Sequence, residues 1–360
     1  ISFKTPTLQT TFNRLLTTRF ELGPNGAVML PEWLKERITI GATQYQMGIG
    51  GLHSCEKSRA VFRQQDEMLA DFDVAGYYPA IILQQKLAPE SLGEPFLKIY
   101  QSIVEQRLAA KKSGDKVVSD TLKIVVNGSF GKLGSKWSAL YAPDLLIQTT
   151  ITGQLALLML IESLELAGVS VVSANTDGIV VHTSKDNEQL VEEITFDWMM
   201  TTSYELERTD YNALASRDVN TYVAVKTDGS YKGKGAFAKT GLMKNPDFPI
   251  VYRAVAEHVV NGLSVADVIR KSTDINEFVS LRRVTGGAVW RGEYLGKAVR
   301  FYYSTSVPSD ECISYRKNGN TVPKSAGAKP VMDLPQQFPD DIDYAVYIEM
   351  AEKLRCEVGL

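Results

Sequence analysis

The sequence predicts an α+β protein built in three lobes, and three observations carry that expectation. β-rich runs at residues 69–74, 169–174 and 179–183 bracket the middle of the chain. Two helical stretches, 95–112 and 117–130, interrupt them as a hairpin, and beyond about residue 249 the pattern turns mainly helical. With 360 residues, 44% hydrophobic and 22% charged, the chain has ordinary globular usage and enough length for two or three lobes.

The elements follow in order. The first fifty residues are mixed, with a turn at Gly23-Pro24-Asn25-Gly26, and Gly48, Gly50 and Gly51 make a flexible loop. A short strand over 69–74 feeds a helix over 79–85, with Pro79 in the permitted first turn. Ser113-Gly114-Asp115 joins the two helices of the hairpin. A long helix over 145–166 closes at Gly168. The next two strands surround Asn175-Thr176-Asp177-Gly178, a hairpin-turn signal. An amphipathic helix over 187–200, strands over 222–225 and 231–236, and a late helix over 341–356 complete the pattern.

Several classes are excluded by composition. The longest apolar run, 155–161, stops at Glu162, short of the ~20 residues a membrane span needs. Cys55, Cys312 and Cys356 are far apart, and only His53, His182 and His258 accompany them. A zinc site or disulfide framework is therefore not expected, and the thiols suit a reducing cytoplasm. The chain opens at Ile1 without a signal peptide, as a piece of a longer polypeptide or a processed product would.

Net charge is −3, from 39 basic and 42 acidic residues, yet the average hides an asymmetry. Residues 103–136 carry seven Lys/Arg against three Asp/Glu; 226–244 and 282–300 each carry five against one. Such stretches suit a polyanion groove, or equally a set of solvated faces.

Two carboxylates at turn positions stand out, Asp73 at a strand end and Asp177 in the hairpin turn. On neighbouring strands such a pair can hold two hard cations about 3.5–4 Å apart for in-line phosphoryl transfer. Each also has a plain reading, since Asp-Gly is a common hairpin turn and Asp often caps a strand end. On the helical hairpin, Arg107 and Lys111 are four apart, as are Lys123 and Asn127. An antiparallel pair would let the four converge on a triphosphate, or leave two solvated stripes.

These residues carry a resemblance. Asp73-Val74-Ala75-Gly76-Tyr77-Tyr78-Pro79-Ala80-Ile81-Ile82 resembles motif A of family B DNA polymerases, D-x-x-S-L-Y-P-S-I-I. Lys123-Ile124-Val125-Val126-Asn127-Gly128-Ser129-Phe130-Gly131 is similar to their motif B, and Ser173-Ala174-Asn175-Thr176-Asp177-Gly178 to motif C. Arg107 and Lys111 match the R-x-x-x-K of the first fingers helix. The order is the family's, the similarity runs from about Gly48 to the end, and it has the flavour of phage and other viral members.

The resemblance implies a right-hand fold: an antiparallel-sheet palm (1–94 and 131–249), helical-hairpin fingers (95–130) and a mostly helical thumb (250–360). It implies a DNA-directed DNA polymerase adding dNTPs to a primer 3′-OH, with Asp73 and Asp177 catalytic. Those carboxylates and the Val74 carbonyl would hold two Mg²⁺ ions, with Mn²⁺ able to substitute. Arg107, Lys111, Lys123 and Asn127 would hold the triphosphate, and Tyr78 would floor the sugar pocket. Tyr222, Lys232, Lys234, Gly50 and Gly51 would contact the DNA primer–template.

The match has departures. Asn175 replaces the first Asp of motif C, Gly128 and Phe130 replace Ser and Tyr of motif B, and Asn220 replaces the lysine of K-x-Y. Gly48 stands where Y-x-G-G has its Tyr. No D-x-E precedes Asp73, so this chain is expected to lack a 3′–5′ exonuclease and not to proofread; any such domain would lie upstream or in trans. No membrane is implied, and a monomer in the host cytoplasm is expected. The alternatives are a catalytically weak primer–template-binding module, signalled by Asn175, and a primase or gap-filling polymerase.

Overall fold

Antiparallel pairing dominates the strands of this protein, whose computed structural model describes residues 1–238 and 245–360. Two units result: Ile1–Glu56 with Arg63–Tyr211, and Lys57–Phe62 with Asn212–Leu360.

In the first unit, α1 (Pro6–Thr17) starts on a proline that needs no hydrogen-bond partner. A two-residue ribbon, β1 (Glu21–Leu22) and β2 (Val28–Met29), brackets the expected Gly23–Gly26 turn. Next come β3 (Ile38–Ile40), β4 (Thr43–Met47) and β5 (Leu52–Ser54), where the sequence suggested only mixed structure. In β4, Thr43, Tyr45 and Met47 alternate into the core, the period-2 pattern of a half-buried strand. β6 (Arg59–Phe62) belongs to the second unit.

β7 (Glu67–Val74) leads into α2 (Tyr77–Gln84), which begins at Gly76 with φ 56°, a conformation glycine adopts without strain. The helical hairpin is α3 (Gly93–Ser113) and α4 (Lys116–Lys132). Gly114 turns it at φ 78°, and Asp115 caps α4 by accepting from Val118 N at 3.0 Å. Then follow α5 (Pro143–Leu166), β8 (Ser170–Asn175), β9 (Gly178–Ser184), α6 (Glu188–Thr202) and the first part of β10 (Leu206–Asp218). The unit's sheet runs β10-β7-β9-β8-β5-β4-β3.

α5 organises this unit. Leu157, Leu158, Leu160 and Ile161 are fully buried, each worth about 1.5–3 kcal/mol relative to exposure. By length and composition the helix could cross a membrane, contrary to the expectation from the 155–161 run, but 67% of that stretch is buried inside the protein. Its polar groups are satisfied across the fold. Glu162, 1% exposed, accepts from Lys4 N, Thr5 N and Thr5 Oγ1 at 2.8, 2.7 and 2.5 Å. Gln154 accepts from Gly48 N and donates to Gly48 O (3.0 and 2.9 Å), and Gly153 O accepts from Tyr77 Oη at 2.5 Å. The helix thereby anchors both the glycine loop and the start of α2.

The second unit holds β6, the remainder of β10, β11 (Thr221–Lys226) and β12 (Tyr231–Gly233). The strand expected over 231–236 ends at Gly233, where a 3₁₀ turn takes over. A Cβ there would lie 2.1 Å from Phe237 O, so the turn requires glycine. α7 (Pro249–Asn261), α8 (Val265–Lys271) and α9 (Ile275–Phe278) follow.

The mainly helical end is then corrected. β13 (Ser280–Trp290) and β14 (Glu293–Tyr303), eleven residues each, form a sheet ordered β15-β13-β14-β16 with β15 (Ser314–Tyr315) and β16 (Ala328–Pro330). Gly286 and Gly287 lie in an irregular stretch between the pairs Arg283–Ala298 and Ala288–Gly296, which breaks the strand period in the sequence. α10 (Tyr344–Glu357) closes the chain.

Candidate active site

The candidate site lies where β7 ends and β9 begins, within the first unit. Asp73, one residue from the end of β7, pairs with Gly178 on β9 and with Glu207 on β10. Opposed residues of an antiparallel ladder share a face, so Asp73 and Glu207 leave the sheet on the same side. Gly178 is small for a reason other than turn conformation. A Cβ there would lie 2.2 Å from Asp73 Oδ1, so glycine makes the space that the carboxylate occupies. The backbone then ties the second carboxylate in, because Val74 N donates to Asp177 O at 2.7 Å. Asp177 is exposed and Asp73 partly buried. The nearby Asp71 is buried and accepts from Tyr211 Oη at 2.5 Å, a structural contact.

The turn carrying Asp177 is strained. Thr176 takes φ 62°, rare for a β-branched residue and costing of order 1–3 kcal/mol. Two short backbone bonds hold it there: Thr176 N to Leu52 O and Asp177 N to Asn175 O, both 2.7 Å. Asn175 pairs with His53 across β8 and β5, and Thr176 Oγ1 donates to Asn175 Oδ1 at 3.2 Å.

Tyr78 connects this turn to the glycine loop. Its hydroxyl donates to Gly50 O at 2.5 Å, and its ring stacks on Phe130 of α4 with centroids 4.2 Å apart. Gly51 fits between Tyr78 and the turn: a Cβ would lie 3.0 Å from Thr176 Cγ2 and 3.1 Å from Tyr78 Oη. Burial, then the negative charge of Asp177, pushes the Tyr78 hydroxyl well above its ordinary pKa, which places Asp177 within electrostatic reach. Gly50, Gly51, Tyr78 and Asp177 therefore form one neighbourhood.

The helical hairpin reaches the same strand ends through an ion pair, Lys111 Nζ with Glu207 Oε1. Within the hairpin, Tyr100 Oη donates to Val126 O at 3.1 Å, fixing the level at which α3 meets α4. Arg107 keeps a buried Nε without a hydrogen-bond partner. Lys123 and Asn127 are exposed on α4. Of the four expected triphosphate donors, Lys111 is the one drawn to the carboxylate side.

Tyr222, Lys232 and Lys234 belong to the second unit. Lys232 pairs with Ala224, and Lys234 N donates to Tyr222 O at 2.9 Å while its Nζ lies 6.0 Å from the Tyr222 ring centroid. Of the basic stretch 226–244, Lys239 and Lys244 lie outside the described residues.

The donors suit a hard cation by chemistry, with two carboxylates and the Val74 carbonyl at one strand end. Among the described residues no group of three or more His, Cys, Asp or Glu forms a metal cluster, so any ion would take ligands beyond side chains. Sequence reasoning missed Glu207, since nothing local marks it. Only the long-range register of β10 sets it beside Asp73.

No family model matches the chain, and no curated protein does. Among solved structures it is similar to the family B DNA polymerase from the hyperthermophilic archaeon Pyrobaculum calidifontis. The TM-score is 0.46 and the sequence identity 14%, over 95% of this chain and 47% of that one. The chain spans about half the length of that polymerase.

Proposed function

We propose that this chain is the core of a DNA-directed DNA polymerase, with palm, fingers and thumb segments at 1–94 with 131–249, 95–130 and 250–360. The observation that carries the reading is the neighbourhood built by the three motif-like segments. Asp73 and the Asp177 turn are joined by the Val74–Asp177 hydrogen bond, and Tyr78 and Phe130 stack beside them. Segments about 40 or more residues apart in sequence thus come together near one strand end, which supports a shared site.

Asp73, the Val74 carbonyl and Asp177 would hold Mg²⁺ (two ions, or Mn²⁺), which supplies charge stabilisation for in-line phosphoryl transfer. The chain's own residues position and neutralise. Arg107, Lys111, Lys123 and Asn127 bind the triphosphate, and donors fixed before reaction need little reorganisation. Tyr78, immobilised by Gly50 O and Phe130, presents a ring edge that excludes a 2′-hydroxyl. Tyr222, Lys232 and Lys234 in the second unit, and Gly50 and Gly51 in the first, would each contact the primer–template. In the second unit Arg283, Lys297, Arg316 and Lys317 make no ion pair among the described residues, which suits a polyanionic partner.

Primer extension with four dNTPs and Mg²⁺ tests the reading, beside Asp73→Ala and Asp177→Ala. Template-directed extension by the wild type, lost by at least a hundredfold in both variants, is the expected result. Primer–template binding without extension, in Mg²⁺ or Mn²⁺, would instead support the second reading. That reading, a binding module, rests on the amide of Asn175 at the first motif C carboxylate position.

A further inference from the structure

We propose that Glu207 is a built-in stand-in for substrate phosphate, holding Lys111 in the nucleotide-free chain until a polyphosphate displaces it. The inference rests on the polymerase reading of the same site and adds to it a residue that no sequence motif marks.

Three observations carry it. Glu207 is the Cα partner of Asp73 and lies on the same face of the sheet, so its carboxylate stands beside the proposed reaction centre. Lys111 is 96 residues away in sequence, on the helical hairpin, yet its ammonium pairs with that carboxylate. Arg107, Lys123 and Asn127 have no such anionic partner among the described residues, so Glu207 engages one member of the donor set selectively.

The chemistry favours exchange over a permanent bridge. The two side chains are 52% and 55% exposed, and half-exposed ion pairs are weak and screened by salt. A lysine ammonium is a point charge with three rotatable donors and imposes no fork geometry on its partner, so it can pass from a carboxylate to a phosphate oxygen. A triphosphate carries several negative charges and would meet Arg107, Lys123 and Asn127 as well, which a single carboxylate cannot. Until then Glu207 neutralises Lys111 and keeps the hairpin tethered to the strand ends. The consequence is selectivity: ligands with one anionic group compete poorly against Glu207, whereas polyphosphates win.

Calorimetric titration with inorganic tripolyphosphate alone, at low salt and without metal, tests this. The panel is wild type, Glu207→Gln, Lys111→Met and the double variant, with Glu207→Thr as a second, strand-compatible replacement. Removing the carboxylate is expected to tighten binding about two- to fivefold, the range of an exposed ion pair. Lys111→Met should weaken binding, and in that background Glu207→Gln should give no gain. Equal or weaker binding by both Glu207 variants would overturn the proposal, as would a gain that survives Lys111→Met. Wild-type primer extension, run in parallel, separates the two ideas: extension without tightening in the Glu207 variants removes only the stand-in role. Failure of the wild type both to extend primers and to bind tripolyphosphate removes the polymerase reading with it.

Discussion

Asp341 in the second unit and Asp177 in the first are both carboxylates beside strands, and the protein treats them differently. Asp341, with its side chain 17% exposed, accepts from Tyr302 Oη, Ser304 Oγ, Ser306 Oγ and Lys329 Nζ at 2.7–2.9 Å. Asp177 is exposed on a turn whose preceding residue sits in a strained conformation, fixed by backbone bonds. A carboxylate saturated with donors serves stability, because little of its field is left for a ligand. On the proposed reading, one held outward by its backbone is available for chemistry, and the strain of its turn is offset elsewhere.

The largest effect should come from breaking the saturated cluster. Asp341→Ala leaves four polar partners without their acceptor and is expected to cost about 2–4 kcal/mol, lowering Tm by roughly 5–10 °C. Primer extension below that temperature should survive. Burial pushes the Asp341 carboxyl up, but Lys329, Ser304, Tyr302 and Ser306 outweigh it and hold the pKa well below the usual range. Since the folded value lies below the unfolded one, near 3.9, the stabilisation is complete at neutral pH. It fades only as pH falls below about 4 toward the folded value. Thermal melts of wild type and Asp341→Asn from pH 7 to pH 2.5 should therefore draw closer toward the acid end. Parallel curves would show that Asp341 does not supply this acid dependence.

Gly178→Ala probes the other side of the comparison. Its methyl group would occupy the Asp73 carboxylate position, so Asp73 must move or the strand pair must shift. Extension should fall at least tenfold while stability drops by about 1–3 kcal/mol, the usual cost of overpacking. Full activity at unchanged Tm would mean that the Asp73 position is not needed for the reaction.

How much of this was legible in the sequence depends on the range over which each feature is encoded. The helical hairpin was, because its periodicity and the Gly114-Asp115 turn are local signals. So were β7, β8 and β9, whose apolar runs are short and bounded by turns. The β13–β14 hairpin was not: Arg282-Arg283 and Gly286-Gly287 break the alternation, and its stability comes from cross-strand burial of Val284, Ala288, Val299 and Phe301. At the site, Asp73, Tyr78 and Asp177 announced themselves through motif-like strings. Glu207 did not, since a lone glutamate in a thirteen-residue strand acquires meaning only from the register of β10 on β7. Gly178 was visible but read as a turn residue, whereas the structure uses it for clearance.

The smallest expected effect asks whether the turn is strained for function. Asparagine tolerates φ 62° better than threonine, so Thr176→Asn relieves backbone strain while keeping a polar side chain near Asn175 and His53. Alone, that relief should stabilise the chain by about 1 kcal/mol, a Tm rise of roughly 2–4 °C. Against it stands the Thr176 methyl group, which packs beside Gly51 in the loop that also receives Tyr78. A higher Tm with slower extension would show that the threonine is retained for positioning at a cost in stability. A lower Tm would show that its packing against the glycine loop outweighs the strain, making loop and turn one structural unit.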